Sequence, residues 1–139
     1  MNMNMNQELY IYTSYFANLR YIPKNFIPIS ISLYSPNWYR GLEYKKLAPN
    51  RKILLDYKLL CDVKKYIHDF NSQILTRLDV DEVVRELVLI SGNSDERPKN
   101  DIVLLCYEKP GDFCHRHLVA DWFNENGYTS VEIEKGIHW

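Results

Sequence analysis

The chain has 139 residues, 46% of them apolar and 25% charged, with a net charge of −1. That composition is an ordinary globular one, long enough for one domain with one real core. It gives no global electrostatic push toward nucleic acid or a membrane surface. No apolar run approaches the roughly 20 residues of a membrane span, and the opening MNMNMNQ lacks the basic and apolar regions of a signal peptide. Three cysteines without a CxxC pair argue against a disulfide framework and for a reducing, cytoplasmic setting. Aromatic residues are plentiful, 11 Tyr, 3 Trp and 5 Phe, enough to line a pocket as well as to edge a core.

In chain order, residues 1–7 are expected to form a disordered tip and 8–139 a single domain. Glu8 to Tyr12 alternates and predicts a first strand. Thr13, Ser14 and Tyr15 end it with three hydroxyls, suited to capping a turn or to binding a ligand. Phe16 to Arg20 predicts a helical turn stopped by Pro23, with Arg20 a further candidate ligand contact. Phe26 to Leu33 alternates four aliphatic residues against Pro28, Ser30 and Ser32, a second strand whose Ser30 hydroxyl joins the candidates. The segment from Trp38 to Lys46 interleaves aromatic and basic residues without a period. Trp38 and Tyr39 there suit stacking on a ring, or a lid packed on the core. Arg51 to Leu55 reads as a third strand. Val63, Ile67, Phe70, Ile74 and Leu78 repeat at helical spacing from about Asp62, and a second helical repeat follows Asp79. Gly92 to Asn100 is a polar loop.

The stretch from Asp101 to Gly127 organises the rest. Ile102 to Cys106 is an apolar, β-branched run of buried-strand length, and Lys109-Pro110-Gly111-Asp112 turns the chain. Cys114-His115-Arg116-His117 then opens a segment whose Leu118, Val119, Trp122 and Phe123 share one helix face, closed by Asn126-Gly127. Ser130 to Lys135 predicts a final edge strand. The sum is a mostly parallel α/β sheet of four to five strands with helices on both faces. Its reactive side chains gather where a strand ends and a helix begins, the place where α/β folds bind ligands.

Cys106-Tyr107-Glu108 followed by Cys114-His115-Arg116, with Thr13-Ser14 after the first strand, resembles the prokaryotic and phage domain-of-unknown-function family four-eight-eight. Tyr44 to Pro49, YKKLAP, resembles one branch of it over nearly the whole chain. The resemblance implies a compact α/β domain with its site at these motifs and supplies no activity.

Three chemistries are open to the residues. An anion or nucleotide pocket would use the helix amino terminus, the Arg116 fork, and His115 as a donor titrating near neutrality. Glu108 would accept from a ribose or base edge, and Tyr15, Trp38 and Tyr39 would stack. As an enzyme on a nucleoside or nucleotide, the chain would use Cys114 as a thiolate favoured by the helix terminus, with Cys106 as nucleophile or resolving partner, or Glu108 in N-glycosidic chemistry. A metal site is disfavoured, because Cys106, Cys114, His115 and His117 are irregularly spaced. The bland alternatives are a buried, inert Cys106 and an Arg116–Glu108 ion pair. The expectation is therefore a binder of a nucleotide or nucleic-acid-derived anion, such as a phage or bacterial defence protein sequestering a nucleotide signal, with the enzyme as alternative. No metal or cofactor is expected. Nucleic acid and further copies of the chain are candidate partners, and a membrane is not.

Overall fold

A computed structural model of the chain describes residues 9–92, 101–107 and 113–133. The predicted disordered tip, the polar loop after Gly92, Glu108 and the turn that follows it lie outside those residues, as does the end of the chain. Among the described residues five strands form one sheet: β1 (Tyr10–Tyr15), β2 (Ile27–Ser30), β3 (Leu42–Glu43), β4 (Ile102–Cys106) and β5 (Thr129–Glu132). All neighbours are parallel, in the order β3-β2-β4-β1-β5. Four α-helices accompany them among the described residues: α1 (Arg51–Leu60), α2 (Val63–Gln73), α3 (Val80–Ile90) and α4 (His115–Glu125).

β4 sits at the centre, and all five of its residues are buried, as a doubly covered parallel strand requires. Its alternation divides the core. Ile102 and Leu104 join Ile11 and Ile29 beneath Ile53, Phe70, Val84, Val119 and Phe123 of the four α-helices. Val103 and Leu105 face the other way, against Phe16, Ile22, Phe26 and Tyr39. The expected cover on both faces is thus unequal, with α-helices on one side and a 3-10 helix (Phe16–Tyr21) and loops on the other. Topology accounts for this. The links β1→β2 and β2→β3 run toward one edge, and β3→β4 and β4→β5 toward the other, so right-handed crossovers must lie on opposite faces.

Helix starts are written locally. Asn50, Asp62 and Asp79 cap α1, α2 and α3 by accepting from backbone N–H groups in the first turn. This corrects the predicted third strand. Arg51 to Leu55 is the start of α1, because the Asn50 side chain accepts from the Ile53 N–H at 2.9 Å and Ile53 faces the core. The true β3 is two exposed residues and carries no alternation to read. Among the described residues no helix is long and apolar enough to cross a membrane.

Candidate functional site

β2 and β4 are adjacent, yet their onward connections leave in opposite directions. A crevice opens outside their carboxyl ends at such a switch point. A pocket of about 370 Å³ lies there. Ser32, Leu33 and Tyr34 after β2 form one side, and Cys106 and Tyr107 at the end of β4 another. Leu54, Tyr57, Lys58 and Tyr66 of α1 and α2 close it, with Phe113, Cys114 and His115 at the head of α4. Tyr57, Tyr66 and Phe113 pack mutually edge-on or tilted, with centroids 4.8–5.7 Å apart, the geometry aromatic quadrupoles prefer.

Three reactive side chains converge in this pocket. Cys106 and Cys114 are joined as a disulfide, with Cα atoms 7.2 Å apart. The cysteine count argued against a disulfide framework; this bond lies across the site and spans only eight residues. His115 is buried at 5% exposure, its Nε2 2.8 Å from the Ile31 carbonyl oxygen and its Nδ1 3.9 Å from Cys114 Sγ. A carbonyl only accepts, so Nε2 carries the proton and donates. Burial pushes the imidazole down to about 4, opposed by that hydrogen bond and reinforced by the nearby Arg116 charge. The ring is therefore neutral at physiological pH, and the expected titration near neutrality is corrected. Its Nδ1 lone pair faces the sulfurs.

Arg116 has a different place from the one its chemistry suggested. It is fully buried, and Nε and Nη2 donate to both carboxylate oxygens of Glu132 on β5 at 2.9–3.1 Å. Its Nη1 donates to Cys106 Sγ at 3.3 Å, and its guanidinium carbon lies 5.8 Å from the Tyr15 ring. It is not among the residues that line the pocket, and it reaches Cys106 from behind it. Thr13 belongs to the same network, donating to Glu132 at 2.5 Å. Ser14 donates to the Ile133 carbonyl, and Ser30 is hydrogen-bonded to Ser35 and to the Ser32 N–H. Tyr39 is buried and donates to the Leu42 carbonyl. Trp38 is exposed and packs on Phe16, while Arg20 lies over Tyr21; neither lines the pocket. Glu108 lies outside the described residues.

Of the predicted residues, then, the pocket gathers Cys106, Cys114 and His115. Sequence reasoning missed Glu132, the Ile31 carbonyl and the walls formed by Tyr34, Tyr57, Tyr66 and Phe113. The i, i+1 and i+4 spacing of Ile53, Leu54 and Tyr57 was the available signal for a helix bearing Tyr57.

Fold and site together define a parallel α/β protein with a cysteine–cysteine–histidine centre at its topological switch point. Residues 18–127 match the sequence model of the DUF488-N3a family, described as the active DUF488-N3 subclade. The chain belongs to that family. No curated protein and no solved structure matches it.

Proposed function

We propose that the chain is a thiol-dependent enzyme acting on a ring-bearing anionic small molecule of the nucleotide class. One observation carries the reading: two cysteine sulfurs and an unprotonated imidazole nitrogen meet at a pocket walled by aromatic rings. The volume falls in the small-molecule range of roughly 300–1,000 Å³. Tyr34, Tyr57, Tyr66, Tyr107 and Phe113 offer ring faces and edges to a planar group. Lys58 at the rim and the amino end of α4 favour the ligand's negative charge.

The disulfide is the resting form. An external thiolate attacks Cys114 Sγ, and Cys106 leaves as a thiolate that the Arg116 N–H stabilises. A second external thiol then attacks the external sulfur of the mixed disulfide and frees Cys114. With ligand bound, the Cys114 proton passes to His115 Nδ1 and the sulfur attacks an electrophilic centre. The leaving group departs with that proton. Water then cleaves the ligand–sulfur bond, restoring the thiol and releasing a hydroxylated product.

The test uses reduced protein with a panel of nucleosides, nucleoside mono- and diphosphates and short oligonucleotides, read by mass spectrometry and thermal shift. The reading expects one member to be converted, and Cys114→Ser to match the reduced wild type in ligand-free melting temperature and in the shift that member causes, but to show no conversion. A member that binds and is returned intact would make the protein a sequestering binder and overturn the enzyme. If no member shifts melting or is converted, the nucleotide class is wrong.

A further inference from the structure

We propose that, once Cys106 and Cys114 are reduced, their sulfurs and Nδ1 of His115 form a three-donor site for a zinc-type divalent cation, its fourth position open to the pocket. This goes beyond the enzymatic reading and does not depend on it.

The donor atoms lie within 4.8 Å of one another, a tighter gathering than the irregular sequence spacing suggested. Zinc bonds of about 2.3 Å to sulfur and 2.0–2.1 Å to nitrogen place tetrahedral ligand atoms roughly 3.5–3.8 Å apart. The 3.9 Å between Cys114 Sγ and His115 Nδ1 is already close to that. The two cysteine Cα atoms stand 7.2 Å apart, beyond the roughly 4.4–6.8 Å usual for disulfides. Little backbone movement is needed for the sulfurs to part around an ion.

The surroundings match those of a ligating histidine. Metal-bound imidazoles commonly donate their second nitrogen to a carbonyl or carboxylate, which fixes the tautomer and turns the other lone pair to the metal. The Ile31 carbonyl does this for His115 at 2.8 Å. Cys106 Sγ has its own outer partner in Arg116 Nη1, whose charge Glu132 balances. Two adjacent thiolates in a buried site repel; with one divalent cation their charges sum to zero. Two sulfurs and an imidazole select a borderline-soft ion such as zinc over magnesium or calcium. Three protein ligands with one open position is the pattern of a catalytic rather than a structural zinc site. Bound ion, disulfide and ion-free thiol pair are alternative states of the same three groups, and the thiol chemistry proposed above belongs to the ion-free one. Two-electron oxidation of the thiolates by a peroxide, itself reduced to water, forms the S–S bond and releases the ion.

The test titrates cobalt(II), a coloured stand-in for zinc, anaerobically into the full chain after reduction and chelator treatment. The expected result is a thiolate-to-cobalt charge-transfer band saturating at one ion per chain and bleached by zinc. The disulfide form, the same chain without any substitution, is expected to show none. Cys61→Ala should keep the band, and His115→Gln should weaken binding at least about tenfold. Absence of the band in the reduced chain, or an equal band in the disulfide form, would overturn the site. An unchanged affinity in His115→Gln would remove the histidine from it. Failure here leaves the nucleotide panel unaffected, so the two proposals fall separately.

Discussion

Glu132→Gln is the substitution whose cost follows most directly from the structure. It keeps the side chain's size and removes its charge, leaving the fully buried Arg116 guanidinium without the carboxylate that accepts three of its hydrogen bonds at 2.9–3.1 Å. At about 3 Å and an effective dielectric of about 20, the pair's attraction is about 5–6 kcal/mol. Part of that offsets the cost of taking both ions from water, a smaller cost for Glu132, whose side chain is 21% exposed. Removing one partner of such a pair costs about 3–5 kcal/mol, and the partial exposure puts this case near 3. For a chain of this length that is a fall in Tm of about 10–15 °C. Urea and thermal denaturation of the variant measure it, with Glu43→Gln in the exposed 3.6 Å pair with Lys45 as a control expected to lose under about 0.5 kcal/mol. A loss under about 1 kcal/mol in Glu132→Gln would mean that the buried guanidinium does not depend on that carboxylate.

Stability should also fall with pH through His115. Its native value of about 4 lies below the unfolded value of about 6.5, so between the two the unfolded chain binds the extra proton. Stability is fully present above about 6.5, declines as pH falls to about 4 and then levels, a total of about 3 kcal/mol. Denaturation of metal-free wild type against His115→Gln isolates this term, and equal pH slopes would contradict it. Asp79→Ala, which removes the cap on the Asp81 and Glu82 N–H groups, should cost about 1 kcal/mol in urea denaturation. Tyr34→Ala removes an exposed ring from the pocket wall; it should leave Tm unchanged and weaken a nucleotide ligand about tenfold by calorimetry.

The central β4–α4 unit was legible because its signals are local. A β-branched apolar run, a turn cluster and a helical repeat follow one another between Asp101 and Gly127. The place of Cys106, Cys114 and His115 followed from them. α1 was misread because its first five residues, RKILL, end in a short apolar run, Ile53 to Leu55, whose helical character is declared by Asn50 before it and Tyr57 after. β3 has no core-facing residue to mark it. Arg116 shows a different limit. Its guanidinium was read as a fork for the oxygens of an anionic ligand or of Glu108, whereas the carboxylate it meets lies on β5, 16 residues away, beside β1 in the sheet. The Ile31 carbonyl that sets the His115 tautomer is a backbone group, invisible to any search for reactive side chains.

The strand-end and helix-start thiols are expected to be reactive in the fold, not merely buried by it. Alkylation of the reduced, chelator-treated native chain with iodoacetamide at neutral pH, with each cysteine followed by peptide mass spectrometry, measures this. Cys61, exposed on the surface, is the internal reference. Cys114, only 8% exposed, is expected to react faster than Cys61 in the folded chain and to lose that advantage in denaturant. Faster reaction at Cys61 in the folded chain would mean that the fold shields Cys114 without activating it.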